Sequence, residues 1–486
     1  MSITALRMPD PPGEPHEHHL ELAETEETVE VDTPPDAAEL GESSGPPLLP
    51  DQFWTARPDL NHIRSAARAR RLAPDAVLGA VLARFAASVD WRIRLPNIVG
   101  RQGSLNLSVA LIGPSGAGKG SSLDEAASLL RDLRQACDHK TGEASVGSGE
   151  GFIKAFFDQV PDESSERKSP PLVWSQVRRG MLFRVDEGEI LAQLAQRSGS
   201  TLDPILRSAW SGEALGGSYV GESGQRRLPA HSYRAAIIMG LQPKVCRFLL
   251  DQEAGGTPQR MLWLPAAFDP GAPDRRPDHP GPLHLIEVPT FADMDDRAVV
   301  DHTGIRCVEM RPASRIIDQI ETHHRDLLRG KVQVDALDTH RYLGMLKVAG
   351  LLALLDGRID ITTEDWTLAA IVDDTSRAVR SWVQVQLRQV ERARDNAAAD
   401  RAGQRAEAAA IGDAAGRGVA VRLGRSIARH TVRAAEKNES ATRGSLRRQL
   451  ASADRRSFEA GLTYAIERNW VAEMDSFIIP GDSLPA

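Results

Sequence analysis

"LIGPSGAGKG" (Leu111–Gly120) follows directly on the apolar run "LNLSVA" (Leu105–Ala110). From Gly113 to Lys119 it fills the opening places of the pattern G-x-x-x-x-G-K-[ST]. Glycines at 113, 116 and 118 leave the backbone free to curl, so that several N–H groups converge on one anion. The helix expected over Ser121–Cys137, "SSLDEAASLLRDLRQAC", adds the positive end of its dipole. Lys119 contributes a mobile point charge for the β- and γ-phosphates. Gly113, Gly116, Gly118, Lys119, Gly120, Ser121 and Ser122 are therefore expected to hold ATP together with Mg2+. One position departs from the pattern. Residue 120 is Gly where a hydroxyl would take the metal, so Ser121, a shifted loop or a bridging water has to replace it.

Two more segments repeat the strand-then-polar pattern. "GMLFRVDEGEILAQLAQ" (Gly180–Gln196) is a strand ending in Asp186 and Glu187, followed by a helix. Asp186 suits a magnesium ligand and Glu187 the orientation of an attacking water, although such a pair also caps helices. "SYRAAIIMGLQP" (Ser232–Pro243) is a second buried strand closed by Gln242. The Gln242 amide is placed to sense a γ-phosphate, or is simply a polar strand end. Arg260 in "GGTPQRMLW" fits an arginine finger reaching into a neighbouring subunit; its alternative is pairing with a local carboxylate. Strands this apolar, alternating with helices, indicate an α/β fold whose parallel sheet is covered on both faces. Ligands of such sheets lie beyond the carboxyl ends of the strands.

The chain has 486 residues, too many for one core, with 41% hydrophobic and 5% aromatic residues. Its net charge of -8 is unevenly spread. Glu14–Glu39 holds ten Asp or Glu and no Lys or Arg, whereas Val421–Trp470 holds eleven basic residues against five acidic ones. Residues 1–50 are expected to be a disordered acidic tail and 51–100 a helical N-terminal collar. The ATPase core is assigned to 101–305, a helical domain to 306–395 and a linker or exposed helix to 396–415. Residues 416–486 form a basic region compatible with a winged helix. Its Arg447 and Arg448 are candidate DNA contacts beside Arg443, Arg455 and Arg456, with protein docking as the alternative role. Arg226 and Arg227 sit in a Gly-rich insert (211–234) able to form a hairpin; they are candidate contacts to single-stranded DNA in a channel, or an ordinary basic turn. A Pro-rich stretch at 268–289 is expected to be a surface excursion. The three cysteines, Cys137, Cys246 and Cys307, lack metal-site spacing and read as reduced thiols. With no run of about 18 apolar residues and no basic-then-apolar leader, a cytoplasmic protein without a membrane partner is expected.

In combination these segments resemble a YfjI-like family of phosphate-loop ATPases from plasmid, prophage and mobile-element replication modules. The resemblance is carried by Gly113–Ser121, Val185–Glu189, Ser232–Pro243, Gly256–Trp263 and Leu346–Ala369, and covers roughly residues 52–385. It implies a RecA- or AAA+-like core and a hexameric replicative helicase acting on DNA. Lys119, Asp186 and Glu187 would be its catalytic set, Gln242 the coupling residue and Arg260 the trans finger. The polymerase domain of longer members has no room here, so a separate primase, initiator or single-strand-binding protein is the implied partner. A non-translocating regulatory ATPase and a small nucleotide kinase, whose loops share the G-K-G-[ST] form, stay open as alternatives.

Overall fold

Pro58 and Pro74 each occupy the first turn of a helix, where a missing N–H costs nothing and the fixed φ suits the turn. They open α2 (Pro58–Ala69) and α3 (Pro74–Ser88), which follow the short α1 (Asp51–Thr55). The computed structural model describes residues 45–135, 141–165, 167, 169–185, 201–216, 226–251, 256–284, 288–301, 303–483 and 485. It divides into two compact units, Met1–Trp382 and Val383–Ala486. Residues 1–44 of the acidic tail, residues 186–200 and Cys137 lie outside the described residues; the last residues of the expected disordered stretch are ordered, with Leu49 buried and its N–H donating to Asp75.

In the first unit β1 (Ile93–Arg94) leads to β2 (Leu107–Ile112), the glycine-rich loop and α4 (Lys119–Leu129). Next come β3 (Thr141–Ser145), α5 (Gly149–Lys154) and an antiparallel hairpin of β4 (Phe157–Pro161) and β5 (Leu172–Gln176). The core continues through β6 (Gly180–Val185), α6 (Leu202–Ser211), β7 (Arg234–Leu241), α7 (Arg247–Leu250) and β8 (Met261–Pro265). Five strands form one sheet in the order β3-β6-β7-β2-β8, with every neighbouring pair parallel. This is the mixed α/β architecture expected from the strand-helix alternation. β2 is buried along its whole length, as a strand with neighbours on both edges and cover on both faces must be.

Helix α3 lies against the sheet, and its Gly79 sets how closely. A Cβ there would stand 2.9 Å from Leu264 Cδ1 and 3.1 Å from Leu111 Cδ2. The expected collar is thus a packed layer of the core, sharing one hydrophobic cluster with the sheet.

After β8 the chain forms β9 (Val299–Val300), β10 (Arg306–Glu309) and β11 (Arg311–Pro312). Then come α8 (Ser314–Leu328), α9 (Arg341–Leu355), β12 (Asp360–Ile361) and α10 (Thr363–Glu436). Arg57, between α1 and α2, donates to Asp365 at 2.5 Å and to Glu364 at 2.8 Å. Arg358 donates to both oxygens of Asp365, so this fully buried carboxylate has its charge compensated twice. Asp365 also accepts from the Thr362 N–H at 2.8 Å, while its own N–H donates to Thr362 Oγ1 at 3.3 Å. That is a reciprocal cap centred on Thr362, the residue before the first of α10. Helix α10 runs through residues 396–415 and across the division between the two units.

The second unit contains the end of α10, α11 (Arg443–Gln449), α12 (Phe458–Glu467) and an antiparallel hairpin of β13 (Val471–Met474) and β14 (Phe477–Pro480). Its core gathers Leu423, Ile427, Leu446, Phe458, Leu462 and Ile478. Gly424 and Gly461 permit the close crossing of α10 and α12: a Cβ on Gly461 would lie 2.6 Å from Leu423 Cβ.

Candidate functional site: the phosphate loop

The loop sits at the carboxyl end of β2, where it leaves the sheet between β7 and β8. The Gly113 N–H donates to Leu241 O at 3.0 Å, and the Ala266 N–H to Ile112 O at 2.7 Å, so both neighbouring strands fix its base. A Cβ on Gly113 would meet Ala266 O at 2.5 Å, which only glycine avoids. Gly116 and Gly118 have φ of +80° and +75°, a region that L-residues with side chains disfavour. Gly118 is the N-cap of α4, and Lys119 is its first residue. The backbone therefore curls as a nest ending in a helix N-terminus, the arrangement that binds anions.

Lys119 Nζ folds back onto its own loop, donating to Gly113 O at 2.8 Å and Pro114 O at 2.6 Å. Partial burial holds its ammonium below the usual lysine value. Burial in turn pushes Cys246 up to about 12, so this thiol stays neutral and gives Lys119 no counter-charge. Nor is any carboxylate ion-paired with Lys119 among the described residues. A phosphate would replace two neutral carbonyls with formal charge. Gly120 and Ser121 are exposed, whereas the buried Ser122 donates its hydroxyl to Gly118 O at 3.0 Å. The Ser122 hydroxyl is thus turned back onto its own helix. Ser121 is exposed at the helix start, and its hydroxyl makes no hydrogen bond among the described residues.

Gln242 follows β7, the strand between the loop strand and β6. The register pairs Leu241 with Ile112 and Met239 with Val185, so Gln242 stands at the same sheet edge as the loop. Its half-exposed side chain makes no hydrogen bond among the described residues. Asp186 and Glu187 continue directly from Val185 in sequence and lie outside the described residues, so no geometry is assigned to them.

Arg260 is elsewhere. It precedes β8, whose Met261 pairs with Ser108 at the opposite end of β2 from the loop. That places it about 16 Å from the loop at the usual rise per residue. The half-buried guanidinium donates to Gly256 O at 2.6 Å and lies 5.7 Å from the centre of the Trp210 ring. Burial, with Arg207 nearby, lowers its pKa. Among the described residues no carboxylate is hydrogen-bonded to it, and the charges of Glu213 and Asp203 act on it only at longer range.

The basic candidates fall into two places. Leu215 and Leu228 exchange backbone hydrogen bonds at 2.9 Å in an antiparallel bridge, and residues 217–225 between them lie outside the described residues. Arg226 stacks 4.3 Å over the Trp174 ring of β5, while Arg227 is exposed. In the second unit Arg447 and Arg448 are exposed on α11. Arg443, by contrast, is committed to Glu459 and Glu473 at 2.8–2.9 Å. The exposed side of α12 bears Glu459 and Glu467, so the basic surface belongs to α11 and the turn after it.

The chain is similar to the full-length MCM homolog from Methanopyrus kandleri, with 15% identity and a TM-score of 0.34 over 72% of this chain. The match spans 63% of that protein, less than two thirds of its length. No family model and no curated protein matches the chain. No described helix is long and apolar enough to cross a membrane.

Sequence reasoning missed the packing around the loop. Leu72, in the turn between α2 and α3, would stand 2.9 Å from a Cβ on Gly118. The Pro-rich segment after β8 is clamped on that same turn. Arg68 donates to Asp269 at 2.7 Å, Arg71 to Pro273 O at 2.7 Å, and Arg276 to Ala69 O at 2.5 Å. The signal was present as "RARRL" facing "DPGAPDRR", but charge complementarity at 200 residues' separation has no local period.

Proposed function

We propose that the first unit binds and hydrolyses ATP and that the chain works as a ring-forming DNA translocase or helicase. The observation that carries this reading is the glycine nest of Gly113–Gly118 ending at Lys119, at the carboxyl edge of a parallel sheet and one strand from Gln242. In this reading the loop N–H groups and Lys119 hold the β- and γ-phosphates. Glu187 orients the attacking water, and Gln242 senses the terminal phosphate. Ser121, the hydroxyl left exposed once Ser122 is engaged, holds Mg2+ together with Asp186. The metal supplies charge neutralisation between the phosphates. Arg260 stands too far from its own loop, which supports a role in the site of a neighbouring copy, with a hexamer as the expected assembly. Arg226 and Arg227, next to the Leu215–Leu228 bridge, are assigned to single-stranded DNA, and Arg447 and Arg448 to the phosphates of a duplex.

The test is ATP binding and DNA-stimulated hydrolysis by the full chain, followed by strand displacement on a forked duplex. Lys119→Ala should weaken ATP roughly 10- to 100-fold, the worth of a charge-assisted contact. Unchanged affinity in that variant would end the reading. Hydrolysis without strand displacement would instead favour a regulatory ATPase, and phosphoryl transfer to a nucleotide would favour a kinase.

A further inference from the structure

Phe268 is the outlier among the apolar side chains. It is 81% exposed, and no large hydrophobic residue among those described is more so. Its backbone is held on both sides. Two residues before it, Ala266 bonds to Ile112 and touches Gly113; immediately after it, Asp269 accepts from Arg68 of α2 and caps the turn through the Gly271 N–H at 2.8 Å. The turn that Arg68 leads into carries Leu72, which packs against Gly118. The backbone that carries Phe268 is therefore held beside the phosphate loop, between Ala266 behind Gly113 and the α2–α3 turn behind Gly118. Two residues of chain span at most about 7 Å, so the side chain starts within that distance of Ala266. An aromatic ring held in water on an anchored backbone loses the gain of burial, and a ligand seated in the loop would supply its missing partner.

We propose that Phe268 is the stacking platform for the base of the bound nucleotide. The phosphates occupy the glycine nest, and the base projects over the rim onto the exposed ring face. The proposal rests on the nucleotide reading of the loop and adds a base subsite to it. Stacking uses the π-face that every base has, so it adds affinity without choosing among purines.

The experiment measures equilibrium binding to the full chain with Mg2+, using a β,γ-imido analogue of ATP and, separately, inorganic tripolyphosphate, which lacks a base. Phe268→Ala should weaken the analogue about 10-fold and leave tripolyphosphate unchanged, and Phe268→Trp should restore the analogue. The imido analogue of GTP should lose the same factor. Equal analogue affinity in wild type and Phe268→Ala overturns the proposal, as does a parallel loss of tripolyphosphate, which would mean a distorted loop. A change confined to the mass of the assembly would make the ring a subunit contact and also overturn it. If wild type binds neither probe, the phosphate-loop reading itself has failed, a result distinct from all of these.

Discussion

Asp75 illustrates how one buried atom carries a pH dependence. It lies in the first turn of α3 and accepts from the Leu49 N–H at 2.8 Å. Burial pushes its carboxyl up to about 7; Asp269 acts in the same direction, while the Leu49 N–H and Arg64 oppose it. The unfolded value is about 3.9. Between the two, the folded chain keeps a proton that the unfolded chain releases, so stability falls as pH rises from about 4 to 7 and then levels. Asp75→Asn keeps a carbonyl to accept from Leu49 and removes the titration. Its advantage in urea unfolding should therefore widen by on the order of 2 kcal/mol between pH 5 and pH 8. A gap of constant size across that range would mean that Asp75 does not hold the proton. The loop residues were legible at this same scale. The spacing of Gly113, Gly116, Gly118 and Lys119 is a local code, and the two left-handed glycines fall where the curl needs them. What spacing could not reveal was the fate of Ser122, because a hydroxyl bonding back onto its own helix leaves no trace in the sequence.

At the scale of elements, close approaches decide which helices fit. Gly424 on α10 and Gly461 on α12 let the two backbones meet, and Gly461→Val would press its side chain into Leu423. Overpacking of this kind costs about 1–3 kcal/mol. Trypsin should then cut the variant earlier at Arg443–Arg468 than wild type, read by fragment mass, with ATP affinity unchanged because the loop belongs to the other unit. Unaltered cleavage would show that the crossing tolerates a branched residue. Strands β2, β6 and β7 were legible because each is dominated by buried apolar residues. Strand β3, "TGEAS", was not: it is an edge strand of half-exposed polar residues, and its place comes from pairing with β6. Strand β8, "MLWLP", is a short buried run that period alone cannot tell from a helical turn. The β4–β5 hairpin, only partly buried, has too little amphipathic contrast to stand out.

At the scale of the whole molecule, the positions of Lys119 and Arg260 pose a question that one copy cannot answer. They stand at opposite ends of neighbouring parallel strands, about 16 Å apart along the sheet, and Arg260 is held by Gly256 O beside Trp210 rather than by any phosphate site. A head-to-tail ring presents the same two surfaces to each other at every interface, and in the proposed assembly one copy's arginine would meet the next copy's loop. If so, Lys119→Ala and Arg260→Ala each abolish hydrolysis for different reasons, the first by removing the charge on the phosphates and weakening ATP, the second with ATP still tightly bound. Mixed in equal amounts, the two inactive proteins should regain activity. In a random ring roughly a quarter of interfaces pair an intact lysine with an intact arginine, and the mixture should recover about that share of the wild-type rate. The measurement is steady-state ATP hydrolysis of the mixture against each variant alone. A mixture no faster than its components, with Arg260→Ala still binding ATP, would place the arginine outside the reaction and leave the ring without its catalytic reason.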